Sequence, residues 1–197
     1  MDELDRYLYE LSRVQKNVNL YDELFCDDDA RQSLRKMNSG VFNVFQRSLN
    51  TEIILSVASL FDSDGFTYKK EKIEYLSQKN LVQKYEHHLD EKLRDLREET
   101  TKHWKELNIK SYRDIWIAHN DHKHMMGQGD VKHNISTDIL IALLSSSYQL
   151  IFGIRMKEFD LDYGQITYRL DHYTGANSGG NFLRQVEEFN KSKQRTR

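Results

Sequence analysis

LDRYLYELSRVQKNVNLYDELF, residues 4–25, sets Leu4, Tyr7, Leu8, Leu11, Val14, Val18, Tyr21 and Phe25 three or four positions apart. That spacing is the apolar stripe of an amphipathic helix, and it recurs along the chain. Asp27, Asp28 and Asp29 interrupt the first stripe, and acidic residues suit the positive end of a new helix dipole. The second helix carries Phe42, Phe45, Leu49, Ile53, Val57, Leu60 and Phe61, widened by Ile54 and Ala58, and is expected at the centre of the core, ending near Asp62 to Gly65. The chain holds no proline, the residue that most firmly stops a helix, so long helices are expected. A short helical piece is predicted around Lys70 to Leu76. Val82, Tyr85, Leu89, Leu93, Leu96, Thr100, Trp104 and Leu107 then predict one long charged helix with a narrow seam for an antiparallel neighbour. His87 and His88 fall on it as exposed residues. Ser111-x-x-Asp114 reads as a further helix start of the capping-box kind. After a glycine-containing loop over residues 125–132, Ser136 or Thr137 caps a helix from Ile139 to about Phe159, with Ile139, Leu143, Tyr148, Ile151 and Phe152 facing inward. Residues 165–170 are compatible with a short strand and 173–180 with a loop. Phe182, Val186 and Phe189 predict a last short helix with a frayed basic end, KSKQRTR.

The expected fold class is therefore all-α, an antiparallel helical bundle with long helices and an irregular C-terminal tail. One domain covers residues 1–197, with the bundle over about 1–160 and a less regular extension over 161–197. At 197 residues the chain can bury a core without disulfide or metal. Its 38% hydrophobic and 30% charged residues, with 11% aromatics, exclude a disordered chain. The single cysteine, Cys26, forms no internal disulfide and fits a reducing compartment. The acidic, amphipathic start lacks the basic and apolar regions of a signal peptide. The richest apolar run, Ile139 to Ile154, is broken by Ser145, Ser146, Ser147 and Gln149, so no membrane span is expected and the cytoplasm is the expected location. A formal charge of −2 argues against general nucleic-acid stickiness, so any such contact must be local. Nucleotide-binding glycine motifs, a phosphate-loop lysine, paired cysteines and a Gly-x-Ser-x-Gly elbow are all absent from the sequence.

The most distinctive segment is SYRDIWIAHND, residues 111–121, in which Arg113 and Asp114 precede apolar filler and then His119, Asn120 and Asp121. It resembles the Arg-x(4 to 6)-His signature of HEPN domains, most closely the abortive-infection U-type subfamily with its R-D/N…A-H-N-D segment. IILSVASLFD, residues 53–62, is similar to that subfamily's apolar helix closing on Leu-x-Asp. The order of expected helices agrees over residues 1 to about 160. The resemblance implies a ribonuclease that needs no metal or other cofactor, acts on RNA and often forms a homodimer whose motifs face each other. It also implies a toxin or phage-defence role. Some members are neutralised by an antitoxin nucleotidyltransferase that modifies a tyrosine just after the motif histidine; here Asn120 and Asp121 stand there instead.

The candidate catalytic residues are Arg113, Asp114, His119 and Asn120, and their chemistry suits RNA, which carries its own nucleophile in the 2′-hydroxyl. Histidine can move protons near neutral pH, and the forked guanidinium matches phosphate oxygens. Asp114 could orient either side chain, and Asn120 could donate a hydrogen bond. On an ideal helix Arg113 and His119 fall ~120° apart. Either the helix loosens before His119, or the two groups meet across a dimer. Structural roles stay open for the same residues: Asp114 as a cap, Arg113 in a surface ion pair, His119 at a helix C-terminus, and Ile115, Trp116 and Ala118 in the core. A metal hydrolase is a second reading, with His119, His122 and His124 as ligands and Asp121 and His133 nearby. A non-catalytic helical interaction or RNA-binding module, presenting the narrow seams to a partner, is a third.

Overall fold

The computed structural model describes residues 1–62, 65–118, 133–161 and 178–195. Helix α1 runs Glu3–Tyr21, started by the Asp2 carboxylate accepting from the Asp5 N–H at 2.8 Å. Its stripe is fully committed, with Leu4, Tyr7, Leu8, Leu11, Val14 and Val18 buried. A π-helical turn over Asp22–Cys26 follows, and Asp27 then caps α2, Asp28–Phe61, through a bond from the Ala30 N–H. The aspartate run thus starts the second helix, as its charge suggested. Helix α2 is kinked at Asn38, whose φ of −166° and ψ of 95° leave the helical region. Its C-terminal half delivers Ile53, Ile54, Val57, Ala58, Leu60 and Phe61 to the main core. Phe45 departs from expectation. At 56% exposure it lies outside the core, on the rim of a satellite cluster where its ring meets Phe42 with centroids 6.0 Å apart.

Residues 65–74 correct a second expectation. They form an antiparallel hairpin of β1, Gly65–Tyr68, and β2, Glu71–Glu74, with Tyr68 opposite Glu71, in place of a short helix. Phe66, Thr67, Tyr68 and Ile73 are strand formers, and the chain must fold back tightly after α2. Gly65, at φ +149°, is required there, since a Cβ would meet the Ile73 carbonyl oxygen at 2.1 Å.

The expected long helix from Val82 is likewise two helices. Helix α3, Gln78–Lys84, is capped by Ser77 and gives way to a 3-10 turn at Glu86–His88. Asp90 then accepts from the Leu93 N–H at 2.9 Å and starts α4, Glu91–Leu107. An aspartate cap restarts the helix inside an unbroken apolar spacing.

Helix α4 ends at Asn108, whose φ of 49° places it in the left-handed region tolerated by asparagine. A single turn, α5, Ile109–Tyr112, opens directly into a π-helical segment, Arg113–Ala118. Ser111 therefore does not begin a helix. Its hydroxyl donates to Asn108 Oδ1 at 3.1 Å, and Asp114 is not a cap.

Helix α6, Thr137–Glu158, is capped by Ser136 and packs most extensively on α4 and α1. Despite its serines, it is long and apolar enough by length and composition to cross a membrane. Most of its apolar run is buried inside the bundle, with Ser146 and Ser147 buried alongside Leu143, Leu144, Leu150, Ile151 and Ile154. The buried serines have partners: Ser146 Oγ lies 3.1 Å from Thr100 Oγ1, and Ser147 Oγ donates to Gln78 Oε1 at 2.5 Å. Gly153 makes room for Leu93 of α4, since a Cβ there would stand 2.5 Å from Leu93 Cδ2.

Helix α7, Gly179–Arg195, is longer than the last short helix expected. It buries Val186 with Phe25, Leu34 and Phe42 in a satellite core against α2 and the first π-turn, and Asn190 Nδ2 donates to the Ser33 carbonyl at 3.3 Å. The possible strand at 165–170 and most of the 173–180 loop lie outside the described residues.

Candidate functional site

The left-handed Asn108 turns the chain out of α4, so that α5 and the π-segment run past the C-terminal end of α2. Arg113, the first residue of that segment, faces Asp62, which closes α2. Arg113 Nη1 donates to Asp62 Oδ2 at 2.6 Å, while Nε and Nη2 both donate to Asp114 Oδ1, at 2.8 and 2.6 Å. Lys110 Nζ stands 3.5 Å from the other oxygen of Asp62. Asp62 is the most protected member at 10% side-chain exposure, against 23% for Arg113. Burial alone would lower the Arg113 pKa, but its hydrogen bonds to Asp114 and Asp62 outweigh that and raise it, so the guanidinium is firmly charged. Among the described residues, three of its five N–H groups are engaged.

Arg113 and Asp62 line a groove of about 520 Å³ that is also bounded by α1, α2 and the Tyr75–Leu76 segment. Arg6, Glu10, Arg13 and Ser56 continue its polar lining, beside apolar groups that include Leu55, Leu60 and Leu76. Arg13 binds Glu10 at 2.8 Å, Glu52 at 2.5 Å and the Ser56 hydroxyl at 3.1 Å, and Arg6 pairs with Glu10 at 2.6 Å. Burial pushes Glu52 up, yet bonds from Arg13, Ser56 and Asn17 together hold it below the usual carboxylate value. The charged groups of the groove are thus paired with carboxylates, and a phosphate approaching them would have to exchange places with one.

Of the residues singled out in the sequence, Arg113 and Asp114 are in direct contact. His119, Asn120, Asp121, His122 and His124 lie outside the described residues. The helix does loosen ahead of His119, by π-type hydrogen bonding from Arg113 to Ala118. His133, the outlying member of the histidine-rich stretch, packs edge-on against Tyr112 with centroids 4.8 Å apart, and its Nδ1 accepts from the Ile135 N–H at 3.3 Å. Asp62 and Lys110 belong to the arginine's surroundings although the motif did not point to them. The available signal was the aspartate that closes the Leu-x-Asp end of the second helix. His87 and His88 stand on the 3-10 turn between α3 and α4 rather than on a continuous helix.

No curated protein and no solved structure matches the chain. A family does: the HEPN_AbiU2 family, described as AbiU2, matches residues 1–151, which include α1 to α5, the Asp62–Arg113 contact, the whole SYRDIWIAHND segment and most of α6. On that match, and with the helical bundle it leads one to expect, this chain belongs to the HEPN AbiU2 family.

Proposed function

We propose that this chain is a cytoplasmic endoribonuclease of the HEPN type that works without metal and serves as a toxin or phage-defence effector. The observation that carries the reading is Arg113, charged, held by Asp62 and Asp114 on the wall of a groove, six positions before His119. The 2′-hydroxyl of RNA attacks the adjacent phosphorus as a base removes its proton. The 5′-oxygen leaves with a proton from an acid, giving a 2′,3′-cyclic phosphate and a 5′-hydroxyl. His119 is the proton carrier and Arg113 binds the non-bridging oxygens, with Asp114 orienting the guanidinium and Asn120 donating a hydrogen bond. Two copies of the motif meet across a homodimer, and a partner protein acts as antitoxin.

The test is cleavage of single-stranded or loop RNA by purified protein in EDTA, with DNA of the same sequence untouched. His119→Ala should slow cleavage by about 10² to 10⁴, Arg113→Ala severely, and Arg113→Lys should rescue poorly because the fork is lost. Sedimentation at micromolar concentration should show a dimer. Equal cutting by parent and both alanine variants would sink the assignment. Loss of cutting in EDTA with recovery on zinc would move the site to His119, His122 and His124.

One observation favours a non-catalytic reading, in which the arginine is a structural tie. Arg113 is shared by two carboxylates, one of them at the end of α2. If Arg113→Lys restores stability while no variant alters any RNA, the tie is its whole role.

A further inference from the structure

The corner where α3 turns into α4 carries chemistry that the RNA site does not use. His87 and His88 sit side by side on the 3-10 turn Glu86–His88, with ring centroids 4.1 Å apart. Glu158, at the last position of α6, comes up beside them, its Oε2 2.7 Å from His88 Nε2. One ligand atom from each of His87, His88 and Glu158 fits within 4.8 Å of the others. We propose that these three side chains form a zinc site that ties the turn before α4 to the end of α6.

Two imidazoles and a carboxylate are a donor set that zinc uses when it also keeps a position for water. A tetrahedral zinc with ligands at about 2.0 to 2.2 Å holds them roughly 3.4 Å apart. The close His88–Glu158 pair has to open slightly and the widest pair to close, which are side-chain rotations at a surface. The backbone beneath is fixed. Lys157 Nζ holds the His88 carbonyl at 3.0 Å and Asp90 Oδ2 at 2.6 Å, fastening the turn to α6 from the other side. Tyr85 stacks near His88 with centroids 6.4 Å apart and donates its hydroxyl to Glu3 at 2.8 Å.

The field at this corner favours a cation. Two carboxylates converge on it, Glu158 beside His88 and Glu3 on the Tyr85 hydroxyl. The nearby cations are already engaged, Lys84 by Glu3, Lys157 by Asp90 and Arg97 with Glu86 at 3.9 Å. The site shares no residue with the Arg113 network, so zinc here braces the bundle and takes no part in cutting RNA. It also shares no residue with the histidines of the motif segment.

The experiment uses the full-length chain, freed of metal by chelation and titrated calorimetrically with zinc chloride, with melting temperature as a second readout. The parent should take up one zinc per chain at this site and melt higher with it. Glu158→Gln, the conservative change, and His88→Ala should each weaken that uptake at least about 100-fold, more than losing an outer-shell partner does. His122→Ala combined with His124→Ala should leave it unchanged. Absence of saturable binding by the parent overturns the proposal, as does binding that survives His87→Ala, His88→Ala and Glu158→Gln together. Binding that disappears with His122 and His124 instead also overturns it. RNA cleavage should persist in EDTA whatever the calorimetry shows, so the two proposals fail separately.

Discussion

Asp62 is the residue on which the Arg113 geometry turns. Its carboxylate is more protected from water than either partner, and it reaches Arg113 across 51 positions of sequence. Asp62→Asn keeps the shape but removes the charge that matches the guanidinium. Loss of a charge-assisted bond at a partly buried site should lower stability by about 1 to 3 kcal/mol, read from the urea midpoint. Asp114 is 38% exposed, so Asp114→Asn should cost less, about 0 to 1 kcal/mol. If the two variants are equally mild, Arg113 is not anchored through Asp62. A sequence motif names Arg113 and Asp114 because they are neighbours along the chain. Asp62 is a neighbour only after folding, so its place at the site could be drawn from the sequence only through the family resemblance of its helix end.

At the scale of elements, the three-and-four spacing placed α1 and α6, the aspartate run marked the start of α2, and of the two caps offered for α6 the structure uses Ser136. Helices α1 and α6 bury most of their stripes, and burial is what the spacing encodes. Periodicity was blind where an apolar seam continues through a break. Leu89 lies on the seam running from Val82, but it falls in extended backbone between the 3-10 turn and the Asp90 cap, and it is still buried. The hairpin escaped because its turn residues are Lys69 and Lys70, with φ of 46° and 74°, in place of the asparagine and glycine that prefer such angles. Two lysines held at positive φ are strained. Lys69→Asn combined with Lys70→Gly should therefore raise stability by about 1 kcal/mol, measured by denaturant unfolding. No gain, or a loss, would show that the lysines do something the backbone geometry does not reveal.

For the whole molecule, the family match stops at residue 151 but the packing does not. Helix α7 supplies Val186 and Leu183 to a second core with Phe25, Leu34 and Phe42, and Gly180 N–H donates to Glu23 Oε2 at 3.2 Å. Removing residues 179–197 should expose that cluster and lower stability by at least about 3 kcal/mol. Removing only residues 192–197, none of them apolar, should change it by less than about 0.5 kcal/mol. Thermal melts of the two truncations decide the point; equal losses would mean that the basic end is docked. The Lys69–Lys70 turn has a consequence at this scale as well. It is exposed, dibasic and lies between Asp62 and Arg113, so trypsin cutting there would put the two halves of the contact on separate polypeptides. Residues 1–69 would keep α1 and α2, and residues 70–197 would keep α3 to α7. Expressed as two pieces, they would regain the pairing only by binding each other, which makes this turn the natural seam for a split version of the protein whose assembly can be switched on from outside.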